Sequence, residues 1–345
     1  MRIAHLAPLW LTVPPRDYGG LETILAYLID AQVKQGHEVT LFACAGSKTT
    51  GRVIEVIEKP MYELLGKFDW SAVYAYEFLA YYELFKRIEE FDIVHNHLGF
   101  HFLATEPIIP IPVVTTNHSS VEPDFPYLSQ KFKDLNYVSI SNAQRSNAPY
   151  LNYVGNVYNA VEPEKFNPNF ETNQEYFFHI GTMSKNKGVD IAVKAAHELG
   201  ERLILAGEVR PEDQEFWDTE VLPLVDGQKI RFIGKVNHEQ KVDLFRNSKA
   251  LLFPSQWNEA FGMVAIESLA SGAPVIGWNS GAIPEIVKDG ENGFVVDNIE
   301  DFKKAMQNIS QIDRRKCVEG VHERFTADAM AKKYVEIYQS LISQK

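Results

Sequence analysis

The sequence predicts an α/β protein made of two doubly wound domains that face each other across a cleft. Short apolar segments alternate with segments of helical periodicity in both halves of the 345-residue chain. Apolar strands that alternate with helices are typical of parallel sheets covered on both faces. A stretch rich in Asn, 157–174, separates the two halves. We therefore expect one domain over 1–160 and a second over 161–325, with ligands at the carboxyl ends of the strands.

The apolar segments predict the strands in order. Those of the first domain are 2–8, 37–43, 92–97, 113–118 and 137–141, and those of the second are 176–181, 202–207, 229–234, 250–254, 274–278 and 293–297. A helix is predicted over 21–34, and Gly36 ends it. The last segment, 326–345, has helical periodicity and is expected to pack back toward the first domain.

Composition excludes several classes of partner. The formal net charge of −12, with no basic run of five residues, disfavours nucleic acid and anionic lipid. No apolar stretch is long enough to span a membrane, and peripheral membrane contact is not expected. The opening segment lacks a small-residue cleavage site and is interpreted as a first buried strand. Cys44 and Cys317 fit no metal or redox spacing, which favours two reduced thiols in a cytoplasmic protein.

The stretch 258–278 carries two glutamates, Glu259 and Glu267. It follows a strand, and a helix is predicted from Met263 to Ser271. The first backbone N–H groups of that helix, from Phe261 to Val264, have no intrahelical acceptor and can hold phosphate or sugar oxygens. Gly262 allows a close approach to the backbone. A carboxylate on the same face, such as Glu267, can accept paired hydrogen bonds from a vicinal diol.

The spacing of these glutamates alone has an ordinary alternative explanation. Glu259 could be a partner of the helix dipole, and Glu267 could be an exposed helical residue. The position of the pair in a strand–loop–helix unit favours the functional interpretation.

The segment 258–297 resembles the signature region of retaining glycosyltransferases of family 4, which have the GT-B fold of two Rossmann-like domains. The resemblance implies that Glu259 holds hydroxyls of the donor sugar and stabilises developing positive charge, and that Glu267 holds the ribose. It also implies that sugar and phosphate bind to backbone N–H groups of Phe261, Gly262, Met263 and Val264. Ala260 replaces the usual Pro, and Ser280-Gly281 replaces Gly-Gly.

The segment 179–190 resembles the diphosphate-binding turn of the same family. Lys187 and Gly188 match, whereas Thr182 stands where the family has Arg. The alternative is a plain turn with solvated lysines. Lys185 or Arg210 could compensate for the missing guanidinium. The resemblance also places Glu208 and Val236, at the ends of neighbouring strands, in the nucleotide pocket.

In the first half, the resemblance assigns donor-side roles to a glycine pair and a histidine. Gly19 and Gly20 correspond to the glycine-rich loop that touches the donor phosphate or sugar. His118 corresponds to the histidine that reaches the donor sugar, although a lone histidine at a strand end is more often structural. A metal cluster of His95, Asn96, His97 and His101 is disfavoured, because no acidic residue stands at ligand spacing.

The absence of several known motifs disfavours other classes of enzyme. Gly-x-Gly-x-x-Gly, Gly-x-Ser-x-Gly, His-Glu-x-x-His and Asp-x-Asp are absent, and the segment 46–51 does not continue as a phosphate-binding loop. The aromatic segment 68–91 is interpreted as core, with a sugar-acceptor platform as the alternative. We expect a retaining enzyme without metal or cofactor that moves a hexose from a nucleotide sugar, favouring UDP, to a hydroxyl of a glycan or small molecule. The alternatives are an epimerase on the same fold and a degenerate, non-catalytic protein that binds sugar nucleotides.

Overall fold

The computed structural model describes residues 1–16, 19–66, 69–119, 126–171 and 174–344, with only the backbone described at Trp70, His101 and Pro126. These residues form two compact units, one of 1–160 with 327–345 and the other of 161–326. The predicted domain boundaries fall at residues 160 and 325. The segments 15–22, 68–91, 115–120 and 157–174, interpreted above, each include residues outside the described ranges.

The described part of the first unit contains a seven-stranded parallel sheet in the order β3-β2-β1-β4-β5-β6-β7. Its strands are β1 (Arg2–Leu6), β2 (Glu38–Cys44), β3 (Arg52–Ile57), β4 (Ile93–Asn96), β5 (Val113–Thr116), β6 (Tyr137–Ser139) and β7 (Tyr153–Asn156). The strand order reverses direction between β1 and β4. In open parallel sheets, that position at the carboxyl edge is where ligands bind.

The helices of the first unit are α1 (Gly20–Lys34), α2 (Met61–Leu65), α3 (Trp70–Phe85), α4 (Pro126–Lys131), α5 (Asn142–Arg145) and, from the end of the chain, α13 (Ala327–Ser343). Helix α13 packs on α1, and Lys34 Nζ lies 2.7 Å from a carboxylate oxygen of Asp328. One face of α13 is buried through Met330, Tyr334 and Tyr338. The terminal segment is therefore part of the first unit.

The described part of the second unit repeats the architecture with six parallel strands in the order β10-β9-β8-β11-β12-β13. They are β8 (Tyr176–Thr182), β9 (Arg202–Glu208), β10 (Ile230–Phe232), β11 (Ser248–Phe253), β12 (Val275–Trp278) and β13 (Gly293–Val296). Its helices are α6 (Val189–Leu199), α7 (Gln214–Phe216), α8 (His238–Arg246), α9 (Met263–Ala270), α10 (Ile283–Ile286), α11 (Ile299–Asn308) and α12 (Arg314–Arg324). The order reverses between β8 and β11.

The predicted class of two doubly wound α/β units is confirmed, but two strands were missed. Both β3 and β7 lie at edges of the first sheet, and most of their residues are only partly buried. An edge strand is covered less completely than a central one, so its sequence lacks the continuous apolar run that marks the others. All six predicted strands of the second unit are present.

The aromatic helix α3 divides into two faces. Ala80, Tyr81 and Leu84 join the apolar core under the first sheet, as the core interpretation expects. Phe78 and Tyr82, on the other face, are 51% and 60% exposed. Among the described helices, none is both long and apolar enough to cross a lipid bilayer.

Candidate active site

The carboxyl edge of the second sheet gathers most of the predicted donor-binding residues. Strands β8 and β11 are neighbours, and the segments that follow them meet where the strand order reverses. The backbone N–H groups of Gln256 and Trp257 both donate to the carbonyl oxygen of Asn186, at 2.9 and 3.2 Å. Two loops that are distant in sequence are thereby joined at the position where doubly wound sheets bind ligands.

Gly188 fixes how closely these loops approach. Its φ of +67° lies in the left-handed region, and a Cβ added there would lie 2.0 Å from the carbonyl oxygen of Pro254. Only glycine fits this contact without a backbone shift. The preceding Lys187 is therefore held against the loop that follows β11.

Lys187 and Glu259 form an ion pair. The ammonium contacts Oε1 of Glu259, and Ser255 Oγ donates to the same oxygen at 3.0 Å. The Lys187 side chain is 34% exposed and that of Glu259 15% exposed. The pair is thus partly shielded from water, so it interacts more strongly than an exposed surface pair.

The backbone of Glu259 contacts the loop that follows β12. The N–H of Ala282 donates to the carbonyl oxygen of Glu259 at 3.0 Å. Gly281 has a φ of +56°, and a Cβ there would lie 2.4 Å from the Glu259 nitrogen. Glycine is needed at position 281 for this contact, whereas Ser280 stands where the family has its first glycine.

Helix α9 begins at this site without a side-chain cap. Gly262 is its N-cap residue, and no side-chain cap hydrogen bond forms there among the residues that the structure describes. Phe261 is buried, with its ring 5.9 Å from that of Phe325 in an edge-to-face arrangement. The buried ring anchors the turn that leads into α9. The backbone N–H groups of Met263 and Val264 lie in the first turn of this helix, at the positive end of its dipole.

Glu267, one turn into α9, is only half satisfied. Lys241, on α8, donates to Oε1 at 2.6 Å. The other oxygen, Oε2, is buried and has no partner among the described residues. Buried carboxylate oxygens are nearly always hydrogen-bonded, so this unpaired acceptor requires an explanation.

Glu208 lies at the end of β9, opposite Thr182 of β8 in the parallel register. It contacts Lys235, and Arg210 Nε lies 3.7 Å from its other carboxylate oxygen. The contact with Lys235 is the main cause that lowers the pKa of Glu208. Val236 follows Lys235 and is half-buried. Arg210 thus interacts with Glu208, and its side chain is 53% exposed.

In the first unit, the glycine loop precedes α1. Gly20 is the first residue of the helix, and nothing lies within 4 Å of a Cβ built on it. A Cβ on Gly19 would lie 2.6 Å from Oε2 of Glu22. Burial raises the pKa of Glu22, which packs beneath this loop.

His118 follows β5, is half-buried, and ends a line of hydrogen-bonded imidazoles whose other members are buried. Its Nε2 lies 2.9 Å from Nδ1 of His97, and His97 Nε2 lies 3.0 Å from Nδ1 of His5. Burial lowers the pKa of His118 to about 3 and that of His5 to about 4. Burial and the neighbouring imidazoles also lower the pKa of His97 well below its ordinary value. These imidazoles are therefore neutral in the folded protein at neutral pH.

Three of the histidines could in principle surround a metal ion. One ring nitrogen from each of His5, His95 and His97 lies within 4.8 Å of the other two. However, each of their six ring nitrogens already has a hydrogen-bond partner. A metal would have to break several of these bonds, so the cluster is better explained as a polar network.

This cluster differs from the combination considered in the sequence. Asn96 is turned toward Glu106, with Nδ2 at 3.0 Å from its carboxylate. The side chain of His101 lies outside the described residues.

Two family models match the chain, and together they span most of it. Residues 161–323 match the glycosyl transferases of group 1, and residues 18–158 match glycosyltransferase family 4. The chain belongs to glycosyltransferase family 4. It is therefore a transferase enzyme by family.

Individual relatives of this glycosyltransferase are distant. An uncharacterized protein in the cps region of Klebsiella pneumoniae is 28% identical over 53% of this chain, which spans about half (48%) of that protein. The O-antigen chain mannosyltransferase C of Escherichia coli is 23% identical over 100% of both chains. The solved structure of Anabaena HepE in complex with UDP-glucose matches with a TM-score of 0.71 at 16% identity, covering 99% of this chain and 100% of that one. That likeness shows the GT-B fold.

The sequence did not indicate all of the residues that this family-4 glycosyltransferase gathers at the edge of its second sheet. Lys241, Lys235 and Ser255 contact the predicted Glu267, Glu208 and Glu259 respectively. Ser255 directly follows the predicted strand 250–254 and so could have been noticed. Nothing in the sequence separates Lys241 from other helical lysines, because its contact with Glu267 arises from the packing of α8 on α9.

Proposed function

We propose that this glycosyltransferase is a retaining, metal-independent enzyme that moves a hexose from a nucleotide sugar to a hydroxyl of a glycan or small molecule. The observation that carries the proposal is the layout of the second unit. A lysine–glutamate pair and a half-satisfied glutamate flank the uncapped start of α9. Positive charge, backbone donors and a free carboxylate oxygen are what a sugar diphosphate and a ribose require.

Lys187 is proposed to bind the diphosphate. A diphosphate carries more negative charge than one carboxylate, so it competes with Glu259 for the ammonium. The backbone N–H groups of Phe261, Gly262, Met263 and Val264 add donors on the same side. On this proposal, donor binding breaks the ion pair. Lys187 then contacts the phosphate, and Glu259 becomes available to contact the sugar.

Glu267 is proposed to bind the ribose of the donor. Lys241 orients its carboxylate through a hydrogen bond to Oε1. Oε2 remains as a buried acceptor, and a ribose hydroxyl would supply the missing donor.

The base is expected near the ends of β9 and β10. Glu208, Arg210, Lys235 and Val236 lie there, and Thr182 faces Glu208 across the strand pair. The similarity to HepE, which was solved with UDP-glucose, supports UDP as the nucleotide. Lys187 and the backbone of α9 would then hold the diphosphate without the arginine that Thr182 replaces.

The transfer is proposed to take place on one face of the sugar. The bond from the anomeric carbon to the departing phosphate breaks, and a bond from the same carbon to the acceptor oxygen forms on the same side. The acceptor proton passes to the departing phosphate oxygen. Glu259, once released from Lys187, stabilises the positive charge that develops on the sugar, while Lys187 and the start of α9 stabilise the leaving diphosphate.

The first unit is proposed to contribute hydrogen bonds to the sugar through His118, with the loop of Gly19 and Gly20 close to the donor.

Both free cysteines, Cys44 and Cys317, are buried. Unpaired thiols support a reducing compartment, and we infer a cytoplasmic location.

A thermal-shift panel of UDP-, GDP- and ADP-sugars tests the proposal first. A ligand that binds only the folded chain raises its melting temperature, and we expect the largest rise with a UDP-sugar. Glu267→Gln should reduce that rise, whereas Glu239→Gln, an exposed substitution on α8, should not. A panel without any stabilising nucleotide sugar would contradict the proposal.

A product assay then tests the chemistry. With donor and a hydroxyl acceptor, we expect a glycoside whose anomeric configuration matches that of the donor, and equal rates with and without chelator. Conversion of the donor without an acceptor would instead indicate an epimerase. An inverted product would contradict the retaining mechanism.

A further inference from the structure

The buried imidazoles of the first unit form a continuous line of hydrogen bonds that starts at Gln32 of α1. Gln32 Oε1 lies 2.8 Å from Nε2 of His5, and the line continues through His97 to Nε2 of His118. We call these four residues the histidine relay. Its far end, Nδ1 of His118, is buried and has no partner among the described residues.

A second line of hydrogen bonds leaves the same amide. Gln32 Nε2 lies 3.3 Å from the hydroxyl of Tyr338, which lies 2.6 Å from Nδ1 of His95. His95 Nε2 lies 2.8 Å from Thr116 Oγ1, which contacts the hydroxyl of Tyr334 at 3.1 Å. We call Tyr338, His95, Thr116 and Tyr334 the tyrosine branch. The orientation of one amide therefore sets the direction of both lines.

The relay has only two consistent directions, because each neutral imidazole has one N–H and one lone pair. If Gln32 accepts from His5, every relay histidine carries its proton on Nε2, and Nδ1 of His118 is a lone pair. If Gln32 donates, every proton moves to Nδ1, and His118 presents a buried N–H without an acceptor. Orphaned buried N–H groups are rarer than orphaned acceptors, so the first direction is favoured.

The tyrosine branch is compatible with that direction. Gln32 Nε2 donates to the Tyr338 hydroxyl, which donates to Nδ1 of His95. His95 Nε2 then donates to Thr116 Oγ1. No group in either line needs a second proton, in agreement with the lowered pKa of His5, which burial brings to about 4.

We propose that Gln32, acting through His5 and His97, fixes His118 in the Nε2–H tautomer, so that Nδ1 accepts a hydrogen bond from a hydroxyl of the bound sugar. Gln32, His5 and His97 are thus positioning residues for His118. The relay does not conduct protons, because it ends at an amide oxygen that cannot hold one at neutral pH. Its effect is to keep the acceptor at the end of the line from becoming a donor.

The tautomer assignment stands independently of the enzyme's activity, whereas the sugar contact rests on the proposed function. A hydroxyl can donate to Nδ1 only if that nitrogen is unprotonated. If Nδ1 of His118 carried a proton instead, the hydroxyl would have to accept a hydrogen bond from it, and the hydroxyl hydrogen would have to point elsewhere. The relay therefore selects one orientation of the sugar hydroxyl.

Nitrogen-15 NMR of the histidine rings in the ligand-free, full-length protein tests the direction without any variant. His118 should show a protonated Nε2 and an unprotonated Nδ1, at neutral pH and well below pH 6.5, the ordinary pKa of histidine. His118→Asn identifies its signals among those of the ten histidines. A protonated Nδ1 on His118 would overturn the proposal.

Gln32→Met tests the control that the amide exerts. Without an acceptor for His5, the unpaired N–H should move from Nε2 of His5 to Nδ1 of His118, and the His118 tautomer should reverse. Nδ1 of His118 is itself buried, but the residue as a whole is only half-buried, whereas His5 is fully buried, so the unpaired N–H costs less on His118. Tyr334→Phe is the matched control, since it removes a buried polar group from the end of the other branch and should leave His118 unchanged. A Gln32→Met protein that is merely less stable, with His118 still protonated on Nε2, would overturn the role of Gln32.

Steady-state kinetics test the sugar contact. Gln32→Met should lower kcat/KM for the sugar nucleotide about tenfold, the effect of one lost or reversed hydrogen bond, while the affinity for UDP alone stays unchanged. A reversed tautomer with unchanged kcat/KM would overturn the contact of His118 with sugar. If no nucleotide sugar binds even the parent protein, the proposed function is wrong, and so is the contact of His118 with sugar. The tautomer of His118 is still decided by the NMR result in that case.

Discussion

The two units share one sheet topology but present opposite chemistry at the edge where each strand order reverses. The second unit places charged pairs there, Lys187 with Glu259 and Lys241 with Glu267, partly open to solvent. The first unit places neutral imidazoles there, hydrogen-bonded to one another and buried except for half-buried His118. Paired charges can be exchanged for a charged ligand, whereas a neutral network with fixed donors and acceptors can orient hydroxyls. We call these two regions the charged edge of the second unit and the neutral edge of the first unit. On the proposed function, the charged edge is suited to a diphosphate and the neutral edge to a sugar.

The largest expected effect concerns how the charged edge is assembled. Gly188→Ala puts a Cβ 2.0 Å from the Pro254 carbonyl oxygen in a left-handed residue, so the Lys187 loop must move. We expect a loss of about 3 kcal/mol or more in unfolding free energy, measured by urea denaturation. Gly290→Ala is the matched control, with a φ of +73° and nothing within 4 Å, and should cost only about 1 kcal/mol. Equal losses would show that the close approach of the loops is unimportant.

The next effect concerns chemistry at the charged edge. Glu259→Gln keeps the shape of the side chain but removes the charge that is proposed to stabilise the reacting sugar. We expect turnover to fall about 100-fold, with a smaller change in donor KM, in a steady-state transfer assay. Glu239→Gln, exposed on α8, should behave as the parent enzyme. Unchanged turnover in Glu259→Gln would remove Glu259 from the reaction.

The neutral edge predicts a pH dependence of stability instead. The pKa of His5 is lowered by burial from 6.5 to about 4, so between these values the unfolded chain binds a proton that the folded chain does not. The free energy of unfolding should therefore fall as the pH decreases from 6.5 toward 4, by about 1.4 kcal/mol per pH unit for this histidine.

Urea denaturation at several pH values checks this slope. In His5→Asn the decrease on acidification should be shallower by that amount, whatever the stability of the variant at neutral pH. His197→Asn, at an exposed position on α6, should retain the parent slope. If His5→Asn also retains the parent slope, the buried imidazole is not neutral as described.

The smallest expected effect concerns the support of Glu267. Lys241→Met removes the ammonium that orients this carboxylate at 2.6 Å, so the proposed contact of Glu267 with the ribose should weaken. We expect donor KM to rise about fivefold with little change in kcat, by steady-state kinetics. Lys304→Met, at an exposed lysine on α11, is the control. A fall in kcat without a change in KM would place Lys241 in the chemical step instead.

The sequence predicted local features far better than contacts between distant segments. The strand–loop–helix unit around Glu259 follows from periodicity and from Gly272 after the helix. The Lys187–Glu259 pair could not be predicted, because it depends on two loops brought together at the switch between β8 and β11. The separate roles expected for these two residues remain predictions.

The histidine relay shows the same limit. His118 was singled out by resemblance, and His97 was considered only as a metal ligand. His5 was missed, although it pairs with His95 in the register of β1 and β4. Strand order determines that neighbourhood, and the alternation of apolar and polar residues carries no information about which strands are adjacent.

The central claim is that the charged edge of the second unit binds the nucleotide diphosphate and the neutral edge of the first unit does not. Calorimetric titration of UDP into Lys187→Met and His118→Asn tests it most directly. We expect Lys187→Met to weaken UDP binding about tenfold or more, and His118→Asn to leave it at the parent value. Equal weakening in both variants, or none in Lys187→Met, would contradict the claim.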